Sequence, residues 1–222
     1  MKHKIYETYD EYLKHQGSKI NEEKYLLRRL SKWTTRVENF QKKFKLLQLL
    51  HIIEPNSRIL CLAARLGEEV KAFRNLGYDA IGIDINPGDP QLLKMFHLPK
   101  ELETKDRYVI YGDFHKIPFP DNEFDYCFSN SIDHSLYVEK LSSEMYRVLK
   151  DKGRAVLEVV KHWKEFEVFA WEDTSELITL FEKFGQWGKV SLENRIEIVL
   201  NSPRQYLILD KEVPIVNENS SD

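Results

Sequence analysis

Between Ser57 and Val160, short apolar runs alternate with segments of helical periodicity, and this alternation restricts the possible folds more than any other feature. The pattern predicts five strands, SRILCL, YDAIGIDI, DRYVIYGD, EFDYCFSN and RAVLEVV, with helices at GEEVKAFRNLG, QLLKMFHL and SLYVEKLSSEMYRVLKDKG. Repeated units of this length join parallel strands by right-handed crossovers. The segment therefore predicts a doubly wound α/β sheet.

The last part of the chain has a different pattern. A predicted helix, SELITLFEKFG, is followed by two strand-like runs, KVSLENRIEIVL and RQYLILD, which are separated only by NSP. Three residues cannot hold a crossover helix, so we expect an antiparallel hairpin. The complete prediction is an α/β, Rossmann-like fold: a doubly wound sheet of seven strands with a terminal antiparallel hairpin, plus an N-terminal helical extension.

Residues 1–54 have a helical pattern and contain no β-like run. In YLLRRLSKWTTRVENFQKKFKLLQLLHII, apolar residues recur at steps of three and four, which predicts an amphipathic helix with room for one break. Its other face carries a basic run: Arg28, Arg29, Lys32, Arg36, Lys42, Lys43 and Lys45. A solvated helix face is the usual explanation of such a run, and a local anionic partner is the alternative.

Composition favours a soluble protein of the cytoplasm. The formal net charge of −3 gives no overall attraction to nucleic acid or anionic membranes. The N-terminus, MKHKIYETYDEY, lacks the apolar stretch of a signal peptide, and no apolar run is long enough to span a bilayer. Cys61 and Cys127 lie inside predicted strands, which indicates core residues in a reducing compartment. No metal-binding motif is present in the sequence, so we expect no metal site.

Candidate site residues follow the strands, because ligands of doubly wound sheets lie at the carboxyl ends of the strands. After the first strand, Ala63, Ala64, Arg65 and Gly67 stand where nucleotide-binding loops usually carry several glycines. Alanine is small enough to let a ligand approach the backbone, and Gly67 allows the helix to start close to the strand. Arg65 either holds a carboxylate or points to solvent.

Two carboxylates end the next two strands. Asp84 can accept two hydrogen bonds from a ribose diol, or it can act as a turn residue before NPG. Asp113 can accept a hydrogen bond from an adenine amine, with Phe114 beside the ring, or it can cap the following turn. The strand-end position favours a ligand-binding role for Asp84.

Polar residues also follow the fourth strand. SNSIDHS places Asn130, Asp133 and His134 at the expected mouth of the site. His134 can act as a general base because its ordinary pKa is near neutrality, and the alternative is a structural histidine in a turn.

Aromatic residues are frequent near the same mouth. Tyr6, Tyr9, Tyr12 and the segment HWKEFEVFAW predict either a lid or acceptor pocket, or the packing of an added helical layer.

Together these stretches resemble the class I S-adenosylmethionine-dependent methyltransferases, and the small-molecule, ubiquinone-biosynthesis-like branch in particular. The resemblance covers roughly residues 57 to 210. ILCLAARLG takes the place of the glycine-rich first motif, IGIDINP of the second, YGDFHKIPFPDNEFDYCFSNSIDH of the third and fourth, and EMYRVLKDKGRAVLEV of the helix and strand that follow. The block from Gly112 to Asp125 is the most specific of these.

The resemblance implies S-adenosyl-L-methionine as cofactor. Asp84 with Ile85 would take the ribose hydroxyls, Asp113 with Phe114 the adenine, and the loop from Ala63 to Gly67 the methionine portion. Asn130 would also contact the cofactor. Cys61 departs from the family, which usually has an acidic residue there, and Ala63 and Arg65 replace two glycines. Arg65 can compensate by holding the methionine carboxylate.

The resemblance implies methyl transfer to an unidentified, small-molecule acceptor. NSID follows the fourth strand where methylases of exocyclic nucleobase or amide nitrogens often have an Asn/Asp-Pro-Pro-aromatic motif, which argues against that chemistry. Nucleic acid is not the expected partner, and the basic N-terminal helix leaves RNA as the alternative. We expect a helical extension or cap at 1–54, the cofactor-binding domain at 55–212 and a tail at 213–222. The oligomeric state is left open.

Two alternatives come from the same residues. The first is a non-catalytic protein that keeps the fold for binding, suggested by the glycine-poor loop. The second is an NAD-dependent enzyme, suggested by the strand, loop, helix and Asp84. The Asp113 block and the terminal hairpin argue against the second alternative.

Overall fold

The computed structural model describes residues 2–3, 6–18, 23–87, 108–160 and 168–212. Its strands are β1 (Lys2–His3), β2 (Arg58–Leu62), β3 (Asp79–Asp84), β4 (Val109–Tyr111), β5 (Phe124–Ser129), β6 (Leu149–Val160), β7 (Phe169–Ala170), β8 (Lys189–Glu193) and β9 (Arg204–Asp210). Its α-helices are α1 (Tyr9–Ser18), α2 (Glu23–Leu30), α3 (Trp33–Leu49), α4 (Glu68–Asn75), α5 (Val138–Val148), α6 (Thr174–Lys183) and α7 (Arg195–Leu200). The predicted helix QLLKMFHL and the tail 213–222 lie outside the described residues, as do residues 162–167 of the aromatic segment.

Seven strands form one sheet in the order β4-β3-β2-β5-β6-β9-β8, which confirms the predicted fold. The first five are parallel, and β9 pairs antiparallel with both β6 and β8. Central strand β2 is covered on both faces, and its residues from Ile59 to Leu62 have no exposed surface. Cys61 of β2 lies opposite Gly82 of β3 and Phe128 of β5. The loops after β2, β3 and β5 therefore leave the sheet side by side.

The N-terminal apolar helix is indeed broken once, between α2 and α3. Its apolar face shares a core with the sheet: the Phe44 ring stacks on Phe73 with centroids 3.6 Å apart and meets Phe128 edge-on. The solvated-face interpretation of the basic run holds for its exposed members, Arg28, Lys32, Lys42 and Lys45. It is wrong for Arg29, Arg36 and Lys43, which are partly buried in ion pairs with core carboxylates.

Three local predictions are corrected. The run predicted as one strand, KVSLENRIEIVL, splits into β8 and helix α7, because α7 packs against α3 and places Ile196 in the core. Ile198 and Val199 remain exposed, at 77% and 65% of their surface. The helix expected to stop at Gly153 ends at Val148, and Leu149 begins β6. Residues 2–3 form the short strand β1, which pairs with β7.

Both cysteines lie in the core, as the sequence predicts. Cys61 and Cys127 have no exposed surface and form no disulfide. Burial raises the pKa of both thiols, so they remain protonated and behave as small apolar side chains.

Candidate functional site

A cavity opens at the carboxyl ends of β2, β3 and β5, with about 400 Å³ of empty space, open solvent included. We call it the strand-end cavity. Of the predicted site residues it is lined by Ala63, Arg65, Asp84, Ile85, Phe114 and His134. Helix α1 covers it, because Tyr12 and Gln16 complete its wall. The structure thus brings together residues that the sequence places after four different strands.

The loop after β2 keeps a glycine-like backbone although its residues are not glycines. Ala63 and Arg65 have φ of 56° and 46°, and Gly67, just before α4, has φ of 78°. A left-handed conformation costs a non-glycine residue about 1 kcal/mol or more. The glycine-poor sequence therefore retains the loop shape at the expense of local strain.

Ala64, the remaining alanine of this loop, is accommodated by a glycine on the neighbouring strand. A Cβ atom on Gly82 would lie 2.7 Å from the Ala64 Cβ and 2.8 Å from a Val70 methyl. The close approach between this loop and β3 depends on the missing side chain at position 82.

Asp84 is held by two backbone amides. Its Oδ2 accepts from Arg65 N–H at 2.9 Å, and its Oδ1 accepts from Asn86 N–H at 2.7 Å. Burial raises the pKa of this carboxyl, and the hydrogen bonds from Asn86 and Arg65 oppose the rise. Since each carboxylate oxygen has two lone pairs, both oxygens can accept a further hydrogen bond from a hydroxyl in the cavity.

Asp113 lies under helix α1. Its Oδ2 accepts from the Tyr9 hydroxyl, and its Oδ1 accepts from His115 N–H at 2.8 Å. Burial opposes ionisation, but the hydrogen bonds from His115 and Tyr9 outweigh it and lower the pKa of Asp113. Asp113 is thus an ionised acceptor at the edge of the site.

His115 connects this carboxylate to the loop before α5. Its Nδ1 lies 3.1 Å from Asp113 Oδ1, and its Nε2 accepts from Tyr137 N–H at 3.3 Å and lies 2.9 Å from Ser135 Oγ. An acceptor role for Nε2 assigns the ring proton to Nδ1, which faces both the Tyr9 hydroxyl oxygen at 2.8 Å and Asp113 Oδ1. Sequence reasoning missed His115, although its spacing of two residues from Asp113 was a usable signal.

His134 ends a 3₁₀ turn, Ile132–His134, and meets helix α1 at two points. Its Nδ1 lies 3.1 Å from Gln16 Oε1, and its carbonyl accepts from the Tyr12 hydroxyl at 2.9 Å. Its Nε2 is 3.8 Å from Asp133 Oδ2. Tyr12 is buried between helix α1 and this turn, a position that fits both the lid interpretation and the packing of an added helical layer.

A second cavity adjoins the first and shares Ala63, Arg65, Ser131 and His134 with it. We call it the arginine cavity, because Arg29, Arg36 and Arg204 also line it. Asn130 lines this cavity and not the first.

Helix α4 begins beside both cavities with two buried glutamates. Glu68, with no exposed surface, accepts from Arg29 Nε at 2.8 Å and Arg36 Nε at 2.9 Å. Burial and neighbouring Glu68 raise the pKa of Glu69 to about 8. The basic residues on the N-terminal helix were the sequence signal for an ion pair. The sequence did not identify Glu68 as the partner, because that pairing depends on the position of helix α4 in the fold.

Residues 60–157 match the family model described as a methyltransferase domain. A sterol 24-C-methyltransferase of Schizosaccharomyces pombe is 29% identical over 103 residues, and one of Pneumocystis carinii is 37% identical over 78. These segments are 46% and 35% of this chain but only 27% and 20% of the relatives, so the chain spans about a quarter of their length.

Solved structures show the same fold. A phosphoethanolamine N-methyltransferase 2 of Haemonchus contortus with S-adenosyl-L-methionine superposes with a TM-score of 0.61 at 16% identity, covering 89% of this chain and 60% of that one. A TehB-like methyltransferase of Corynebacterium glutamicum gives 0.53 at 14% identity, covering 81% and 100%.

Residues 60–157 carry a methyltransferase domain, and the described sheet has the fold of solved methyltransferases. The Haemonchus contortus structure in this comparison contains S-adenosyl-L-methionine. The family model is described only as a methyltransferase domain, so the ubiquinone-biosynthesis-like branch stays a prediction. Among the described residues, no helix is both long and apolar enough to cross a bilayer.

Proposed function

We propose that this chain binds S-adenosyl-L-methionine in the strand-end cavity and transfers the methyl group to a small-molecule acceptor. The observation that carries the proposal is Asp84, which stands at the end of β3 with both oxygens fixed by backbone amides and directed at the cavity.

Different residues of the chain would contact different parts of the cofactor. Asp84, beside Ile85, would accept from the ribose hydroxyls. Asp113 would accept from the adenine amine through the remaining lone pair of the oxygen that Tyr9 also contacts, and Phe114 would flank the ring.

The methionine portion would lie along the loop that contains Ala63, Ala64 and Gly67. Arg65 would hold its carboxylate, and Asn130 would contact the same end from the arginine cavity. A guanidinium suits this task because it binds a carboxylate through two parallel hydrogen bonds.

When bound, the cofactor supplies an electrophilic sulfonium methyl group. The protein must then align the acceptor and, where the acceptor atom carries a proton, remove it. His134 lines both cavities and is therefore placed between donor and acceptor. We assign it the role of general base, with Gln16 and Asp133 orienting its ring.

The acceptors named for related proteins are chemically diverse, and include sterols and phosphoethanolamine. Only the small-molecule class is carried over to this chain. We also keep the division into an N-terminal cap (1–54) and a cofactor-binding domain (55–212), and a cytoplasmic location, as parts of the proposal.

Titration calorimetry with S-adenosyl-L-methionine and S-adenosylhomocysteine tests the cofactor site. We expect micromolar binding, about −8 kcal/mol, and its loss in Asp84→Asn. Asp79→Asn is the matched control, because Asp79 starts the same strand, is 67% exposed and makes only peripheral ion pairs. Absence of binding by the folded wild-type protein would contradict the proposal and favour a non-catalytic protein that keeps the fold.

A further inference from the structure

The arginine cavity is lined by four guanidinium groups from separate parts of the chain. Arg29 comes from α2, Arg36 from α3, Arg65 from the loop after β2, and Arg204 from the start of β9. The described residues of its wall include no carboxylate, and Ala63 supplies its only apolar side chain. The space between them is about 570 Å³, open solvent included.

A buried carboxylate behind the wall fixes the direction of two of these arginines, Arg29 and Arg36. Glu68, fully buried, binds Arg29 through two hydrogen bonds, at 2.8 and 3.1 Å, and Arg36 through one at 2.9 Å. Two cations therefore share one carboxylate. Such guanidinium groups are already ordered, so a ligand that binds them loses less side-chain entropy than it would with mobile surface arginines.

The same arrangement recurs on the other side of the cavity. Glu158 accepts from Lys43 Nζ at 2.8 and 2.9 Å and from the Tyr206 hydroxyl at 3.0 Å, and Arg204 Nε lies 3.7 Å from it. Again two cations share one buried carboxylate. Lys43 makes the short contacts with Glu158, whereas Arg204 lines the cavity and lies 3.7 Å from that carboxylate.

We propose that the arginine cavity binds an oxyanion group, phosphate or carboxylate, of the methyl acceptor. The inference rests on the proposed transferase function, because it places the acceptor beside the methyl donor. Guanidinium groups match oxyanions in shape and charge, whereas an uncharged apolar acceptor would bury the arginines without replacing their water. His134 lies where the two cavities meet, so the acceptor's reactive atom would face the donor while its anion lies among the arginines.

The competing assignment is that the arginines serve only the cofactor's own carboxylate. Arg65 lines both cavities, and this one guanidinium can hold the methionine carboxylate by itself. Arg29, Arg36 and Arg204 line only the arginine cavity and remain for the acceptor. The two assignments differ in one measurable respect: an acceptor site still binds an anion when the cofactor site is full.

The test is titration of inorganic phosphate, and separately of acetate, into protein saturated with S-adenosylhomocysteine at low ionic strength. We expect binding of at least one anion, weakened about tenfold in Arg204→Gln, with S-adenosylhomocysteine affinity unchanged. Arg195→Gln is the control, since Arg195 is 61% exposed in its side chain and pairs with Glu193 outside the cavity. Tighter phosphate binding would assign a phosphorylated acceptor, and tighter acetate binding a carboxylic acid.

Three outcomes would overturn the inference: anion binding that disappears when S-adenosylhomocysteine is present, binding unchanged in Arg204→Gln, or no anion binding at all. In each of these, binding of S-adenosylhomocysteine shows that the donor site stands and that only the acceptor assignment has failed. If the folded wild-type protein does not bind S-adenosylhomocysteine, the proposed function itself is contradicted.

Discussion

The hydroxyl of Tyr9 donates a hydrogen bond to the carboxylate of Asp113, which lies 104 residues further along the chain. The Tyr9 ring also stacks on Tyr137, with centroids 5.7 Å apart. Helix α1 is thereby fixed over the strand ends by a contact with the carboxylate expected to bind adenine.

Tyr9→Phe keeps the ring and removes the proton donor. We expect a loss of about 1 kcal/mol in the free energy of unfolding at pH 7, and a rise in the pKa of Asp113. Because the pKa of Asp113 is lowered by folding, its contribution is present above the ordinary value of 3.8 and disappears as the pH falls through the folded value. Urea denaturation at pH 7 and NMR titration of Asp113 measure both effects. Tyr111→Phe, at a ring 69% exposed, is the control and should change neither.

Ala63→Gly should relieve the left-handed strain in the loop after β2. We expect a gain of about 0.5 to 1 kcal/mol in stability, since glycine adopts φ of 56° without penalty but loses more freedom on folding. Thermal denaturation is the measurement. Ala64→Gly, the adjacent control, should instead be destabilising, because Ala64 is fully buried. A loss of stability in Ala63→Gly would show that the loop is unstrained.

Gly82→Ala should push the cofactor loop away from β3. The new methyl group would lie 2.7 Å from Ala64 and 2.8 Å from Val70, so we expect a loss of about 1–3 kcal/mol in stability and weaker S-adenosylhomocysteine binding. The double variant Gly82→Ala, Ala64→Gly removes the shorter contact and should recover part of both. Calorimetry on the single and double variants measures both the stability and the binding. Equal losses in the two variants would contradict the proposed contact between positions 82 and 64.

Glu69→Gln should increase stability at alkaline pH. Burial raises the folded-state pKa of Glu69 to about 8, above its ordinary 4.5, and its Oε2 has no hydrogen-bond partner among the described residues. A raised pKa means that the folded protein is fully stabilised below pH 4.5 and loses that contribution as the pH rises through 8. The variant should match the wild type near pH 4.5 and exceed it at pH 9 by an amount on the order of 5 kcal/mol, which corresponds to the rise of the pKa from 4.5 to about 8.

Urea denaturation as a function of pH measures the difference between Glu69→Gln and the wild type. Glu182→Gln, at an exposed position of helix α6, serves as the matched control. Equal pH dependence of the Glu69→Gln and wild-type proteins would show that Glu69 is not a buried acid in the folded state.

The centre of the sheet was predictable from sequence because strand β2 is buried on both faces, and its continuous apolar run identifies a strand without any tertiary information. The other strands were predicted from the regular alternation of strand-like and helix-like segments. The positions of Asp84 and Asp113 followed, since strand ends of a parallel sheet share one edge. Helix α7 was missed because Ile196, Ile198 and Leu200 alternate with other residues as in a strand, while packing on α3 decided otherwise.

The parts of the site that sequence reasoning did not supply are long-range pairings. Glu68 binds Arg29 and Arg36 across 39 and 32 residues, and Tyr9 reaches His115 across 106. No local sequence pattern identifies these partners, because each pairing depends on how helices α1 to α3 pack on the sheet. The basic run and the tyrosines were visible, but their partners were not.

The residues that line the arginine cavity come from inside and from outside the segment that matches the family model. Residues 60–157, the segment that matches the methyltransferase model, contain Arg65, Asp84 and Asp113. Arg29, Arg36 and Arg204 lie outside it and approach from the two sides of the sequence. The proposed donor site and the proposed acceptor site thus draw on separate stretches of the sequence, so we expect substitutions in the flanking regions to change acceptor binding and to leave donor binding intact.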